Sequence, residues 1–85
     1  MINLGDLLKL SDKKSYVVAS KANKDDKEYY YLVDIDNPKL SMVCYLKDGS
    51  LVVVEDKNEC KEVIVQLAEN AKKTAIQFGL MNNSN

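Results

Sequence analysis

Two neighbouring β-strands are predicted within residues 28–55, EYYYLVDIDNPKLSMVCYLKDGSLVVVE. Residues 28–35 and 39–46 are rich in β-branched, aromatic and aliphatic side chains, which favour strands. Pro38 separates the two strands, because proline cannot donate a backbone hydrogen bond to a sheet and disfavours helix in the residue before it. This stretch therefore predicts a fold that is mainly β.

A tight hairpin is predicted after the second of these strands. Asp48 and Gly49 both tolerate the positive φ that a two-residue type I′ turn requires. Residues 51–55 then form the returning strand, with Leu and Val as its main residues. The turn therefore predicts that this strand pairs directly, and antiparallel, with its predecessor.

Two further strands are predicted upstream. Polar residues at 11–14 and 23–27 indicate turns, and the segments that they bound, residues 7–10 and 15–22, have the composition of strands. Short connections usually join strands that are neighbours in a sheet. The five strands are therefore expected to form an antiparallel meander.

A C-terminal amphipathic helix is predicted after the fifth strand, where the hydrophobic period changes from two to 3.6. Asp56 suits the N-cap, with Glu59 completing a capping box, and Gly79 suits the left-handed position that ends a helix. The apolar stripe of this helix is Cys60, Ile64, Leu67, Ala71, Ala75 and Phe78. We expect a single domain over residues 1–79 and a flexible tail at 80–85.

The predicted fold is thus α+β and mainly β: a five-strand antiparallel meander, strongly curved or closed as an SH3-like barrel, plus the helix. The helix covers one face of the sheet, and alternation places four further apolar side chains on the other face. These candidate partner-binding residues are Tyr30, Leu32, Val43 and Tyr45. Either the sheet curls so that both faces enter the core, or the second face is an interface for a protein partner or a homodimer.

The charged residues of the 85-residue chain are 12 Lys and 13 acidic residues, for a net charge of −1, and Arg, His and Trp do not occur. Histidine is the usual general base and metal ligand, and arginine is the bidentate clamp for phosphate and carboxylate. The composition therefore favours a small protein-interaction domain, with an adaptor or regulatory role, over an enzyme. It predicts no cofactor.

The cysteines, Cys44 and Cys60, have neither a redox nor a zinc spacing. Each lies on an apolar strand face or helix stripe, so both are expected to be unpaired structural thiols. Asp34 and Asp36 resemble the start of a calcium loop, but the residues that should supply its glycine and its last ligand do not fit. No metal site is predicted.

A weak single-stranded nucleic-acid-binding barrel is the alternative function, because small barrels stack bases on aromatic side chains beside a basic groove. Tyr30 and Tyr45 would stack the bases, and four lysines would contact the phosphates: Lys13, Lys14, Lys21 and Lys24. Acidic residues share the same loops, and the net charge is slightly negative. We therefore expect no appreciable nucleic-acid binding at physiological salt.

No export signal or membrane span is recognised, so a cytoplasmic location is expected. The runs GDLLKL at 5–10, YVV at 16–18 and YYYLVDI at 29–35 resemble small uncharacterised proteins of low-GC Gram-positive bacteria and their mobile elements. The resemblance spans about residues 4–67. It implies a phage or mobile-element origin and a protein-binding adaptor or regulator, and it assigns no functional residue.

Overall fold

The computed structural model describes residues 2–77, with side chains through residue 73. The elements are β1 (Leu7–Lys9), β2 (Ser15–Lys24), β3 (Lys27–Asp34), β4 (Ser41–Lys47), β5 (Ser50–Val53) and α1 (Lys57–Gln77). The strands form one sheet in chain order, and every neighbouring pair is antiparallel. The sheet curls into a half-barrel with α1 packed against its outer face, which confirms the predicted fold class.

The two tight hairpins have two-residue turns of the same type. Asp48 and Gly49, between β4 and β5, have φ values of 51° and 82°, as predicted for a type I′ turn. Asp25 and Asp26, between β2 and β3, have φ values of 53° and 65°. The longer turn predicted at residues 23–27 is wrong, because β2 and β3 extend to the residues that flank this aspartate pair.

A β-bulge divides β2. Val18 is paired with Leu32, but Ser20 is paired with Tyr31, so Ala19 is an extra residue in the ladder. Side chains alternate between the two faces of a strand, and the extra residue moves those that follow it to the opposite face. As a result, the first half of β2 faces the inside of the half-barrel and the second half faces α1.

Two hydrophobic cores lie on opposite sides of the sheet. The concave core, inside the half-barrel, contains Tyr16, Val18, Tyr30, Leu32 and Cys44. The helix core, between the sheet and α1, contains Ala22, Tyr29, Val43, Val63 and Leu67. Both faces of the central strands are therefore buried, which is the first of the two arrangements left open by the sequence.

The start of α1 is capped as predicted, but Glu59 is used differently. One Asp56 carboxylate oxygen accepts hydrogen bonds from the backbone N–H of Asn58 at 2.8 Å and of Glu59 at 3.2 Å. The Glu59 carboxylate accepts hydrogen bonds from the Tyr29 hydroxyl and, at 3.2 Å, from the Lys27 ammonium. It therefore connects the helix to β3 instead of forming the second half of a capping box.

The buried stripe of α1 is centred on Val63 and Leu67, each 1% exposed, with Cys60 and Ile64 partly buried beside them. The predicted stripe does not include Val63, because it follows i+4 spacing from Cys60 to Ile64, whereas a helix face in contact with a sheet includes i+3 as well as i+4 neighbours. Other predicted features lie outside the described residues: the side chains of Ala75 and Phe78, the cap at Gly79 and the tail at 80–85.

A buried carboxylate organises the end of β3. The carboxylate of Asp34, a residue that is 3% exposed, accepts hydrogen bonds from the backbone N–H of Asp36 at 2.8 Å and of Asn37 at 3.3 Å. This local arrangement forms the turn before Pro38. The acidic residues at this position therefore serve to form a turn. Because of this turn, β4 begins only at Ser41, two residues later than predicted.

Candidate functional site

A cleft of about 520 Å³ lies between β1 and β5, the two edges of the sheet. Residues of β1 line one wall and residues of β5 line the other, while Cys44 and Leu46 from β4 belong to its floor. Among the described residues that line the cleft, Lys9 carries the only charge. The volume lies in the range of about 300–1,000 Å³ that is typical of ligand sites.

The cleft exists because the barrel does not close. Within residues 2–77, no strand pairs with the outer side of β1 or of β5. β1 is short and lies along the first half of β2, whereas β5 lies along the second half of β4. The curl of the sheet brings these two edges to opposite sides of one opening.

The outer edge of β1 directs backbone groups toward this opening. The Asp6 carbonyl accepts a 3.0 Å hydrogen bond from β2, and the Leu10 N–H donates a 3.1 Å bond to the turn that leads into β2. The direction of the backbone N–H and C=O groups alternates from residue to residue along an antiparallel strand, so those of Asp6, Leu8 and Leu10 point toward β2. The N–H and C=O groups of Leu7 and Lys9 therefore point away from the sheet.

The outer edge of β5 has the same property. The Val54 N–H donates a 2.8 Å hydrogen bond to the Val43 carbonyl, which fixes the alternation along this pair. Val52 points toward β4 in the same way. The N–H and C=O groups of Leu51 and Val53 therefore point outward, and both residues line the cleft.

Apolar side chains at these edges are unusually exposed. Leu7 is 65% exposed and Val53 is 47% exposed, although both line the cleft. Natural sheet edges are usually protected by charges, prolines or bulges, because an open apolar edge pairs readily with another chain. Lys9 is the only such feature on the lining of this cleft in the described part of the chain, so the edges are well suited to a bound strand.

The thiol of Cys44, on the cleft floor, has low reactivity. Burial raises the pKa of the Cys44 thiol to about 11, so it is protonated at neutral pH and is a poor nucleophile. Cys44 is buried, Cys60 is partly buried, and neither forms a disulfide. The prediction that both thiols are unpaired is confirmed.

The predicted partner-binding residues do not form one surface, and this grouping is wrong. Tyr30 and Leu32 lie in the concave core, whereas Val43 and Tyr45 contact the helix core. The reason is the register of β3 and β4, which pairs Tyr30 with Cys44 instead of placing it beside Tyr45. A difference of one residue in register exchanges the two faces of a strand.

Tyr45 is held in a cluster at the start of the helix. Its ring centroid lies 6.3 Å from that of Tyr29, and the Lys27 ammonium lies 4.6 Å from the Tyr45 ring centroid. Burial, together with the hydrogen bond to Glu59, raises the pKa of Tyr29 to about 12. These contacts attach α1 to β3, so the ring of Tyr45 already has partners within the fold.

The four lysines of the nucleic-acid alternative also lie apart. Lys13 and Lys14 precede β2, and Lys24 ends it, so the two groups are separated by roughly 30 Å of extended chain. The Lys24 ammonium pairs with two carboxylates, at 3.1 and 3.2 Å. The Lys21 ammonium donates a 3.3 Å hydrogen bond to the carbonyl of Ile2. The structure does not bring these side chains together as one basic groove.

The sequence prediction did not include four residues at the two edges of the cleft, which are Leu7, Lys9, Leu51 and Val53. Two features of the sequence pointed to these residues: the first predicted strand is very short, and the number of strands is odd. In an antiparallel meander with an odd number of strands, the two edge strands run in the same direction. Their proximity, however, depends on how far the sheet curls. Strand patterns do not report that curvature.

Comparisons with family models, with curated protein sequences and with solved structures gave no match to this chain. In the region from residue 2 to residue 77, no helix has the length and apolar character needed to cross a membrane. The same region holds no group of three or more Asp, Glu, Cys or His side chains placed to bind a metal ion. The geometry of the cleft is therefore the basis for inferring function.

Proposed function

We propose that this protein is a small protein-interaction module, with an adaptor or regulatory role, that binds an extended peptide segment of a partner protein in the cleft. One observation carries the proposal: two sheet edges direct backbone N–H and C=O groups into the same opening, which is lined mostly by aliphatic side chains. An extended peptide satisfies such groups with its own backbone and places alternate side chains in the apolar space.

The chemistry of the lining favours binding over catalysis. Cys44 is protonated at neutral pH, Leu46 is aliphatic, and Lys9 is the one charged group among the described lining residues. Acid–base catalysis needs a group with a pKa near neutrality that can reach a substrate. The proposed role is therefore recognition, without a cofactor and without a chemical step.

Nucleic-acid binding has weaker support. Tyr30 is 2% exposed, so its ring has no free face on which a base can stack. The lysines proposed for that role lie at opposite ends of β2, and Lys24 is already paired with carboxylates. A peptide ligand needs neither a basic groove nor an exposed aromatic platform.

The proposal can be tested with peptides selected from a phage-displayed library of random dodecapeptides. Val53→Pro removes an N–H that points into the cleft but takes no part in the sheet, so the fold should persist. We expect selected peptides to bind this variant about tenfold more weakly than the wild type. In ¹⁵N-labelled protein, the largest chemical-shift changes should fall on β1 and β5.

The control is Val65→Ala, which alters an exposed valine side chain of α1, a helix whose described side chains do not line the cleft. Selected peptides should bind Val65→Ala as they bind the wild type. A library that yields no enriched peptide, or peptides whose chemical-shift changes fall on α1, would contradict the proposed function.

A further inference from the structure

The direction of the two edges restricts what can fill the cleft. Each strand of the meander reverses the direction of its predecessor, so β1 and β5, the first and the fifth, run in the same direction. They cannot close the barrel by an antiparallel pairing with each other. One strand placed between them in the reverse direction is antiparallel to both and gives a six-strand barrel with uniform pairing.

The side-chain faces at the two edges are complementary in a second way. At β1, the outward-pointing backbone groups belong to Leu7 and Lys9, whose side chains lie on the convex side, because Leu8 between them packs in the concave core. At β5, they belong to Leu51 and Val53, whose side chains face the concave side. At the β1 edge, the residues that are free to pair have side chains on the convex face of the sheet. At the opposing β5 edge, the residues that are free to pair have side chains on the concave face.

A single inserted strand meets both requirements together. Along any strand, successive residues direct their backbone groups to opposite neighbours and their side chains to opposite faces. Directly paired residues also share a face. The residues that bond to β1 therefore have convex side chains, and the residues that bond to β5 have concave ones, which is the arrangement that the two edges present.

From these two matches we infer that the ligand inserts between β1 and β5 as a sixth strand, antiparallel to both, and closes the barrel. This inference rests on the proposed function and specifies its ligand. Side chains at alternate positions enter the cleft above Cys44 and Leu46, so they are aliphatic. A convex position beside Lys9 carries an acidic residue, because Lys9 is the only charge among the described lining residues.

The charge requirement also selects the source of the strand. Residues 78–85 of this chain, FGLMNNSN, contain no acidic side chain. A second copy of the chain would offer β1, which carries a lysine, or β5, which carries no charged residue. A segment of a different protein, with alternating aliphatic and polar residues and one carboxylate, is therefore the occupant.

The test uses a synthetic peptide, acetyl-Thr-Val-Glu-Val-Thr-Val-Thr-amide, and the same composition in an order that breaks the alternation. We expect the alternating peptide to bind at a ratio of one to one and the reordered peptide to bind at least about tenfold more weakly. Methylation of single backbone nitrogens should weaken binding at consecutive positions in the centre, because neighbouring N–H groups bond to different edges.

Charge exchange tests the contact with Lys9. Lys9→Glu should weaken binding of the Glu peptide by about threefold, and a Lys-for-Glu peptide should recover that loss with the variant.

If only every second N-methyl group weakens binding, the ligand pairs with one edge; insertion is then wrong, while the proposed function stands. If the alternating peptide does not bind while library-selected peptides bind at β1 and β5, insertion is likewise wrong and the proposed function stands. Sedimentation of the free protein as a dimer that Val53→Pro dissociates would overturn the inference by identifying a second copy as the occupant.

Discussion

The hydroxyl of Ser20 donates a 2.7 Å hydrogen bond to the backbone carbonyl of Leu67, 47 positions away along the chain. Both residues are 1% exposed. Ser20 can reach the helix only because the bulge at Ala19 turns the second half of β2 toward α1. The irregularity in the sheet and the docking of the helix are therefore parts of one arrangement.

Ser20→Ala should lower the free energy of unfolding by about 1 kcal/mol, because the variant loses a buried hydrogen bond without a large change in volume. Ser50→Ala, at an exposed position of β5, is the control and should stay within about 0.5 kcal/mol of the wild type. Urea denaturation monitored by circular dichroism measures both. Equal midpoints for the two variants would show that the bond to Leu67 contributes nothing.

Alkaline pH should weaken the fold, and two phenols contribute to this loss of stability. The hydrogen bond to Asp12 raises the pKa of Tyr16 to about 12, and burial with the bond to Glu59 raises that of Tyr29 to about 12. In the unfolded chain both phenols ionise near pH 10. The unfolded state therefore loses protons first, and stability should fall as the pH rises from about 10 to about 12.

Tyr16→Phe and Tyr29→Phe should each make this alkaline decline shallower, since each removes one phenol. The midpoint of urea unfolding at about pH 8, where the phenols are protonated in both states, gives the reference for each variant. The slope of stability against pH above that reference is the measured quantity. Slopes equal to the wild type in both variants would show that other groups cause the decline.

The strand order was predictable because local signals mark each boundary. Asp48 and Gly49 specify a turn of known geometry, Pro38 interrupts pairing, and Asp56 caps a helix, each through chemistry confined to a few residues. Those signals predict five strands in chain order followed by one helix. The type I′ turn at Asp25 and Asp26 was not predictable in the same way, because neither residue is the glycine that usually marks it.

The faces of the strands were not predictable from the same signals. The loop at residues 35–40 sets the register between β3 and β4, and no residue in it specifies that register as a two-residue turn would. The register pairs Tyr30 with Cys44, which separates Tyr30 from Tyr45. The bulge at Ala19 likewise lacks a glycine or proline as its marker. The cleft, which depends on the curl of the whole sheet, was therefore not predictable.

The two type I′ turns should respond in opposite ways to substitution. Gly49 has a φ of 82°, and no heavy atom lies within 4 Å of the position that an added Cβ would take, so Gly49→Ala should cost about 1 kcal/mol through backbone strain alone. Asp26 has a φ of 65°, and Asp26→Gly should stabilise the fold by up to about 1 kcal/mol by relieving the same strain. Thermal melts of Gly49→Ala, Asp26→Gly and Asp25→Gly measure these effects. If Asp25→Gly and Asp26→Gly were both less stable than the wild type, the predicted relief of backbone strain would be wrong.

The two tyrosines that the sequence places on one surface should differ in their effect on folding. Tyr30 is 2% exposed in the concave core, so Tyr30→Ala should lower the free energy of unfolding by about 3–5 kcal/mol. Tyr45 is only partly buried at the edge of the helix core, and Tyr45→Ala should cost less, about 1–2 kcal/mol.

Tyr30→Phe keeps the ring and serves as the variant that remains folded if Tyr30→Ala does not. It should stay within about 1.5 kcal/mol of the wild type, because the volume in the concave core is conserved. Urea midpoints establish the order of the three variants, and near-ultraviolet circular dichroism shows whether each retains fixed packing. A Tyr30→Ala protein as stable as Tyr45→Ala would contradict the placement of Tyr30 in the concave core of the half-barrel.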